Sequence, residues 1–307
     1  MRRMRLTPRA YRRITVVAVF LLAAIIVTGG AVRLTGSGLG CPDWPTCEPG
    51  SLAPREATDA HAMVEFINRA VTGLVSVVVV LAVLGSLVRS PRRRDLVWLS
   101  VGLAAGVFAQ AVLGGLVVLY GLEPVFVMGH FLLSMVLLAD AIVLADRASR
   151  PDGPAQPVVD RDIVALARVL LATVVAVLVA GTVVTATGPH GGDADAERFG
   201  FSLPHVARIH GILVVVFLGL LALIFVLLDR RGAPMEVRRR LSAVLIVALA
   251  QAAVGYIQYF NDIPELLVGV HIAGATAVTA LTLWFYLGCF AVSASAPRGA
   301  RAVSAAA

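Results

Sequence analysis

The chain has six histidines, His61, His130, His190, His205, His210 and His271, and three of them share a setting that suits metal chemistry. His130, His210 and His271 each stand one to two turns inside the start of an apolar run. At 1.5 Å of helical rise per residue they share a depth of about 7–9 Å. Ionisable side chains inside apolar helices are functional candidates by default. Two neutral imidazoles at one depth, such as His210 and His271, can serve as axial ligands to a heme iron. A pair bonded to backbone or water is the plain alternative, and spacing alone leaves both open. His190 and His205 read as solvated or interfacial side chains.

The other candidates gather near residue 65. Asn68 stands where the pattern of His210 would place a histidine, and a neutral carboxamide is a poor iron ligand. His130 then has an open position opposite it. Open coordination suits a catalytic metal, and a closed set suits electron transfer. His61, Glu65 and Asn68 lie at i, i+4 and i+7, on one helix face. Glu65 also meets Arg69 at i+4. That is either an ion pair at a helix entrance or a carboxylate placed as acid, base or proton relay. His61 is about 10 Å along the helix from Asn68, so it replaces the missing ligand only if the helix start is irregular. Arg69 and Arg208 either pair with acidic groups of a bound porphyrin or snorkel to the interface. Cys41 and Cys47 enclose Pro42-Asp43-Trp44-Pro45-Thr46, which reads as a structural disulfide or a labile redox pair. A zinc pair lacks further local ligands. Cys289 reads as inert packing.

The elements that position these residues follow from composition. Of 307 residues 59% are hydrophobic and 15% charged, with mean hydropathy +0.88. Too few polar residues remain to clothe a soluble globule, so long apolar runs must face lipid as helices. Eight such runs are predicted, at about 14–33, 63–88, 96–119, 125–145, 163–187, 205–228, 241–260 and 265–292. The first lacks a small-residue cleavage site and reads as a retained helix, not a signal peptide. The formal charge is +7, and all the basic residues are arginines. They cluster before the first run and after the second, fourth, sixth and eighth, which argues for topology and against nucleic-acid binding. Both termini are therefore expected in the cytoplasm. Heavy Arg, Ala and Val usage suggests a GC-rich bacterial genome.

The halves repeat. Ala109-Gln110-Ala111-Val112-Leu113-Gly114 recurs as Ala250-Gln251-Ala252-Ala253-Val254-Gly255. Pro124 with His130 recurs as Pro264 with His271, Thr35-Gly36 as Thr187-Gly188, and Ile67-Asn68 as Ile209-His210. Four spans per repeat give both copies the same orientation. The expected fold is an all-α membrane protein of eight transmembrane helices, as two pseudo-twofold-related four-helix bundles. Its parts are an N-terminal half 1–145, a cytoplasmic linker 146–162 rich in proline and glycine, a C-terminal half 163–292, and a cytoplasmic tail 293–307.

Two stretches resemble a known family. Thr28-Gly29-Gly30-Ala31-Val32-Arg33-Leu34-Thr35-Gly36-Ser37-Gly38-Leu39 followed by Cys41-Pro42-Asp43-Trp44-Pro45 resembles the first-loop signature of bacterial heme A synthases, with an actinobacterial cast. Glu65-Phe66-Ile67-Asn68-Arg69 resembles their Glu-x-x-His-Arg motif, departing from it at Asn68. His130, His210 and His271 match the remaining family histidines. The resemblance implies oxidation of the C8 methyl group of heme O to a formyl group, for terminal oxidases. It implies heme b on His210 and His271, heme O near His130, a catalytic role for Glu65, and a Cys41–Cys47 disulfide. A heme O synthase is the implied partner, beside a membrane electron donor and the bilayer itself, with homo-oligomers allowed. Two other classes compete. A membrane diheme electron carrier needs two closed histidine pairs, and Asn68 opposes that. A transporter needs interrupted helices and midplane polar groups, which are absent from the pattern.

Overall fold

The computed structural model describes residues 5–56 and 58–292. The expected tail 293–307 lies outside these, as do Arg2 and Arg3. Eight helices follow in order: α1 Pro8–Leu34, α2 Ala60–Val88, α3 Arg94–Leu119, α4 Pro124–Ser149, α5 Arg161–Thr187, α6 Leu203–Arg230, α7 Met235–Phe260 and α8 Glu265–Gly288. All eight are long and apolar enough to cross a membrane. Large side chains such as Phe20, Trp98, Phe108 and Val215 stand fully outward, as lipid-facing residues do. The chain is an all-α, multi-pass membrane protein.

Several helices outrun their apolar stretches. α1 begins at Pro8, six residues early, because Pro8 suits the first turn and Thr7 Oγ1 accepts the Ala10 N–H at 3.2 Å. α7 begins at Met235 and takes in Arg238, Arg239 and Arg240. Hydropathy marks what lipid covers, while the helix continues into the interface. α8 does the reverse and stops at Gly288, short of 292. Phe290–Val292 instead pairs antiparallel with Ala155–Pro157. These two strands, β1 (Ala155–Pro157) and β2 (Phe290–Val292), tie the linker to the end of α8. An apolar run of three residues does not tell strand from helix. Arg150 fastens the same corner through the carbonyls of Leu287 (2.8 Å) and Phe290 (2.5 Å) and the Asp146 carboxylate (2.7 Å).

Within each half the helices form a ring of neighbours. α1 packs on α2 and α4, and α3 on α2 and α4; α5 packs on α6 and α8, and α7 on α6 and α8. The halves also interlock, since α8 packs on α1 and α4, and α4 on α5. One buried apolar cluster runs from Tyr11 through Leu96, Leu138 and Leu144 and takes in Leu178 of α5. A second runs through Leu170, Leu221, Leu241 and Phe285. Cys289 is buried in this second cluster, and burial pushes its thiol up to about 12. It packs in the core, as expected.

The turns before α4 and α8 are the same turn. Gly121 and Leu122 have φ of 59° and 62°; Asp262 and Ile263 have 57° and 55°. Leu122 N–H returns to Val117 O at 2.8 Å, and Ile263 N–H to Gln258 O at 2.9 Å. A left-handed Leu or Ile costs on the order of 1–3 kcal/mol and persists only where packing enforces it. Leu122 is buried and packs towards Gly38 and Gly192. The repeated turn starts α4 and α8 in matching register, and so sets His130 and His271 at matching places.

Candidate functional site

His130, His210 and His271 lie at one end of the molecule, opposite the arginine-rich end. In the second half, His210 on α6 and His271 on α8 stand on helices diagonal in their ring, with α5 and α7 between them. Their ring centres are 6.4 Å apart at an interplanar angle of 64°. Small residues make room for both. A Cβ on Gly181 of α5 would stand 3.1 Å from His210 Cε1, and one on Gly255 of α7 would stand 2.9 Å from His271 Cε1.

Hydrogen bonding sets the ring roles. His210 Nδ1 lies 3.1 Å from Val177 O. A carbonyl only accepts, so Nδ1 carries the proton and Nε2 keeps its lone pair. His271 Nδ1 is buried without a partner. The plain reading, a pair satisfied by backbone, is therefore met by His210 and not by His271. A buried unpaired nitrogen costs about 1–3 kcal/mol and calls for a reason.

An axial ligand pair would supply one. A metal–imidazole bond of about 2 Å, with roughly 1 Å more to each ring centre, puts opposed rings about 6 Å apart across one iron. The observed separation fits. No cluster of three or more His, Cys, Asp or Glu side chains gathers to hold a bare metal ion among the described residues. A porphyrin brings its own equatorial nitrogens and needs only the axial pair.

The first half has the same frame with one member changed. His130 on α4 lies over Gly114 of α3, where a Cβ would stand 3.1 Å from its Cε1, and its Nδ1 is also buried and unpaired. Gln110 Nε2 donates to His130 O at 2.8 Å, and Gln251 Nε2 donates to His271 O at 2.8 Å. The glutamines of the sequence repeat thus hold the carbonyls of the repeat histidines. Asn68 on α2 occupies the place of His210. Its Oδ1 accepts from Thr28 Oγ1 at 2.9 Å. Beside Thr28, Gly29 is the repeat counterpart of Gly181, yet a Cβ there would meet nothing within 4 Å. Where the second half has an imidazole against glycine, the first half has open space.

Glu65 is buried at 5% exposure and doubly engaged. Its Oε2 accepts the Cys41 N–H at 2.7 Å, and its Oε1 accepts Arg69 Nε at 3.1 Å and Nη2 at 2.5 Å. Arg69 goes on to donate to the carbonyls of Cys41 (3.0 Å), Asp43 (3.1 Å) and Thr46 (2.8 Å). The pair is therefore a clamp that seats the first loop, closed by a Cys41–Cys47 disulfide, on α2. Trp44 of that loop packs on Gly115, the neighbour of Gly114 under His130. The loop therefore lies against α3, one residue along from the glycine under His130.

The remaining candidates are less central. α2 starts regularly, with Asp59 Oδ1 accepting the Ala62 N–H at 3.1 Å. His61 consequently stays two turns from Asn68, and its Nδ1 meets Ser37 Oγ at 3.1 Å. His205 and Arg208 are exposed on α6. His190 Nε2 meets Ile263 O at 2.8 Å and ties the loop after α5 to the turn before α8. Sequence reasoning missed the roles of Trp44, Gly115 and Gly181. A repeat alignment of α1 with α5, pairing Gly29 with Gly181, was the available signal for the last.

Fold and site together define a multi-pass membrane protein with a duplicated, histidine-bearing unit. The family model described as COX15-CtaA, cytochrome oxidase assembly protein, matches residues 12–189, more than half of the chain. The chain belongs to that family. Among similar proteins, a heme A synthase of Bacillus pumilus is 32% identical over 138 residues, 44% of each chain. One of Lysinibacillus sphaericus is 34% identical over 123 residues, 39% of each. One of Listeria welshimeri is 27% identical over 132 residues, 43% of each. The matched stretch thus spans about two fifths of these relatives.

Proposed function

We propose that this protein is a heme A synthase that oxidises the C8 methyl group of heme O to a formyl group by successive hydroxylations, for terminal oxidase assembly. The observation that carries this reading is the unlike pair of sites on one repeated frame. The second half offers two opposed imidazoles. The first offers one imidazole facing an asparagine and open space. A closed site suits electron relay and an open one suits substrate.

His210 and His271 are the residues that hold heme b, which when bound supplies one-electron transfer. His130 orients the substrate, heme O, in the first half. Asn68, bonded to Thr28, lines the opposite wall without adding a strong ligand. Glu65, held between Cys41 N–H and Arg69, is the carboxylate that handles protons at the substrate. Arg69 seats the covering loop, Trp44 excludes water from above His130, and His61 steadies the loop through Ser37. Arg208, exposed on α6, would pair with an acidic group of heme b. The disulfide is structural in this reading.

Two four-helix halves related by a pseudo-twofold axis along the membrane normal account for the packing. Exchanging α1–α4 with α5–α8 maps each helix–helix neighbour pair onto another, α1 with α8 onto α4 with α5, except α4 with α8, which maps onto itself. The repeated turns and glutamine bonds support the same axis. The chain sits in a bacterial plasma membrane with both termini cytoplasmic, by the bias of arginines to one end. Its partners are a heme O synthase and a membrane electron donor, and a homo-oligomer is compatible with the lipid-facing surfaces. An actinobacterial source fits the arginine-only usage.

A membrane diheme b-type electron carrier is the second reading, favoured by the His210–His271 pair alone. Expression in a host that makes heme O but no heme A separates the two. The synthase yields heme A or its hydroxylated precursor beside heme b, identified by extraction and mass. Heme b alone, with heme O and reductant present, overturns the synthase in favour of the carrier.

A further inference from the structure

Arg33 and Arg198, at the histidine end, have no acidic partner within ion-pair distance among the described residues. Arg33 closes the last turn of α1. Its Nη2 donates to Thr185 O on α5 at 2.8 Å, and its Nε is buried with no partner. Arg198, between α5 and α6, lies so flat on Gly191 that a Cβ there would have no room. It makes one hydrogen bond, from Nη1 to the carbonyl of its neighbour Glu197 at 3.2 Å. Gly192 backs Arg33 in the same way, with a Cβ position 3.6 Å from Arg33 Cγ. Both arginines line one cleft of about 340 Å³. Asp193 also lines it, but its Oδ1 is taken by the Asp195 N–H at 3.0 Å. The lining carries two guanidinium groups and one carboxylate, so it is short of anions.

The cleft lies above the second-half histidines. Thr185 is one turn, about 6 Å, beyond Gly181 towards the histidine end, and Gly181 is the glycine under the His210 ring. Leu34, beside Arg33, packs 3.3 Å from the Cβ position of Gly269, two residues before His271. Arg33 thus reaches from the first half across the mouth of the second. A guanidinium fork matches a carboxylate in shape and charge, and a partly dry cleft strengthens the pairing.

We propose that Arg33 and Arg198 clamp a carboxylate of the porphyrin held by His210 and His271, so that the first half completes the second half's site. This rests on reading that histidine pair as heme ligands. A lipid headgroup phosphate offers the same chemistry, and the test separates the two sources.

The full-length protein, purified free of heme, is titrated with iron protoporphyrin IX and with its dimethyl ester, whose carboxylates are blocked. The readout is the Soret band of the six-coordinate complex, not turnover. Wild type should bind the free acid on the order of tenfold tighter than the ester, one charge-assisted pairing being worth about that factor. Arg33→Gln and Arg198→Gln should each weaken the free acid to the level of the ester, leaving the ester's affinity and band position unchanged. Arg33→Lys should restore part of the difference. Equal weakening of acid and ester would show that the arginines only brace the helices, and would overturn the clamp. Equal binding of acid and ester by wild type, with phospholipid retained by wild type and lost from both variants, would give the cleft to a headgroup and overturn it too. No Soret band in wild type with either compound would remove the histidine assignment and the clamp with it.

Discussion

His130 and His271 sit on matching helices, each entered by the same left-handed turn, each over a glycine, each tied through its own carbonyl to a glutamine of the preceding helix. Across from them stand Asn68 in one half and His210 in the other. His210 fills its space against Gly181, while Asn68 turns to Thr28 and leaves the space at Gly29 empty. The frame is repeated and the chemistry is not. A scaffold rigid enough to hold two rings at matching registers lets one side chain decide whether a site is closed or open.

Breaking the first half should have the largest effect on turnover. Glu65→Gln keeps the side chain's size and removes a titrating group, but its single carbonyl oxygen can accept from Arg69 or from the Cys41 N–H and not from both. It should lower heme A formation by on the order of 10²–10⁴, the range for positioned proton transfer, with the low-spin heme b spectrum unchanged. A variant with normal product formation would return Glu65 to a purely structural role.

Breaking the second half should act on heme retention instead. His271→Ala should weaken heme b binding by more than about 100-fold, since even residues behind a metal ligand are worth about 10–100-fold. His130→Ala should leave the low-spin band in place while abolishing product. If both variants lost the same band, the two halves would not have separate roles.

The comparison is sharpened by making the halves alike. Asn68→His restores the imidazole, and the open space beside Gly29 gives it room. Its low-spin absorbance per protein should rise, towards twice the wild-type value if both sites fill, while heme A formation falls. An unchanged spectrum would mean that the first site does not hold a porphyrin on the His130 side.

The smallest effects test the packing. Gly181→Ala, at the counterpart of Gly29, crowds the His210 ring 3.1 Å away and should cost about 1–3 kcal/mol. Gly29→Ala meets nothing and should stay within about 0.5 kcal/mol. Thermal unfolding of the heme-free proteins in detergent measures both, and equal costs would contradict the asymmetry.

The eight spans, the arginine bias and the repeat were all legible in the amino-acid order, because lipid imposes length and apolarity on each helix separately. The depth of His130, His210 and His271 was legible for the same reason, since rise per residue is a local quantity. That His210 and His271 pair was legible as an expectation, but the 6.4 Å between their ring centres was not. They lie on diagonal helices, and which faces meet depends on how every neighbour in the ring packs. The same holds for Glu65, whose i+4 partner Arg69 was visible while its bond to the Cys41 N–H was not. Arg33 shows the limit most plainly. The charge pattern marks it as a stray basic residue of the poorly charged side, yet it bonds to Thr185, 152 residues away. A helical period tells a residue which face it shares, and only the packed bundle tells it what stands opposite.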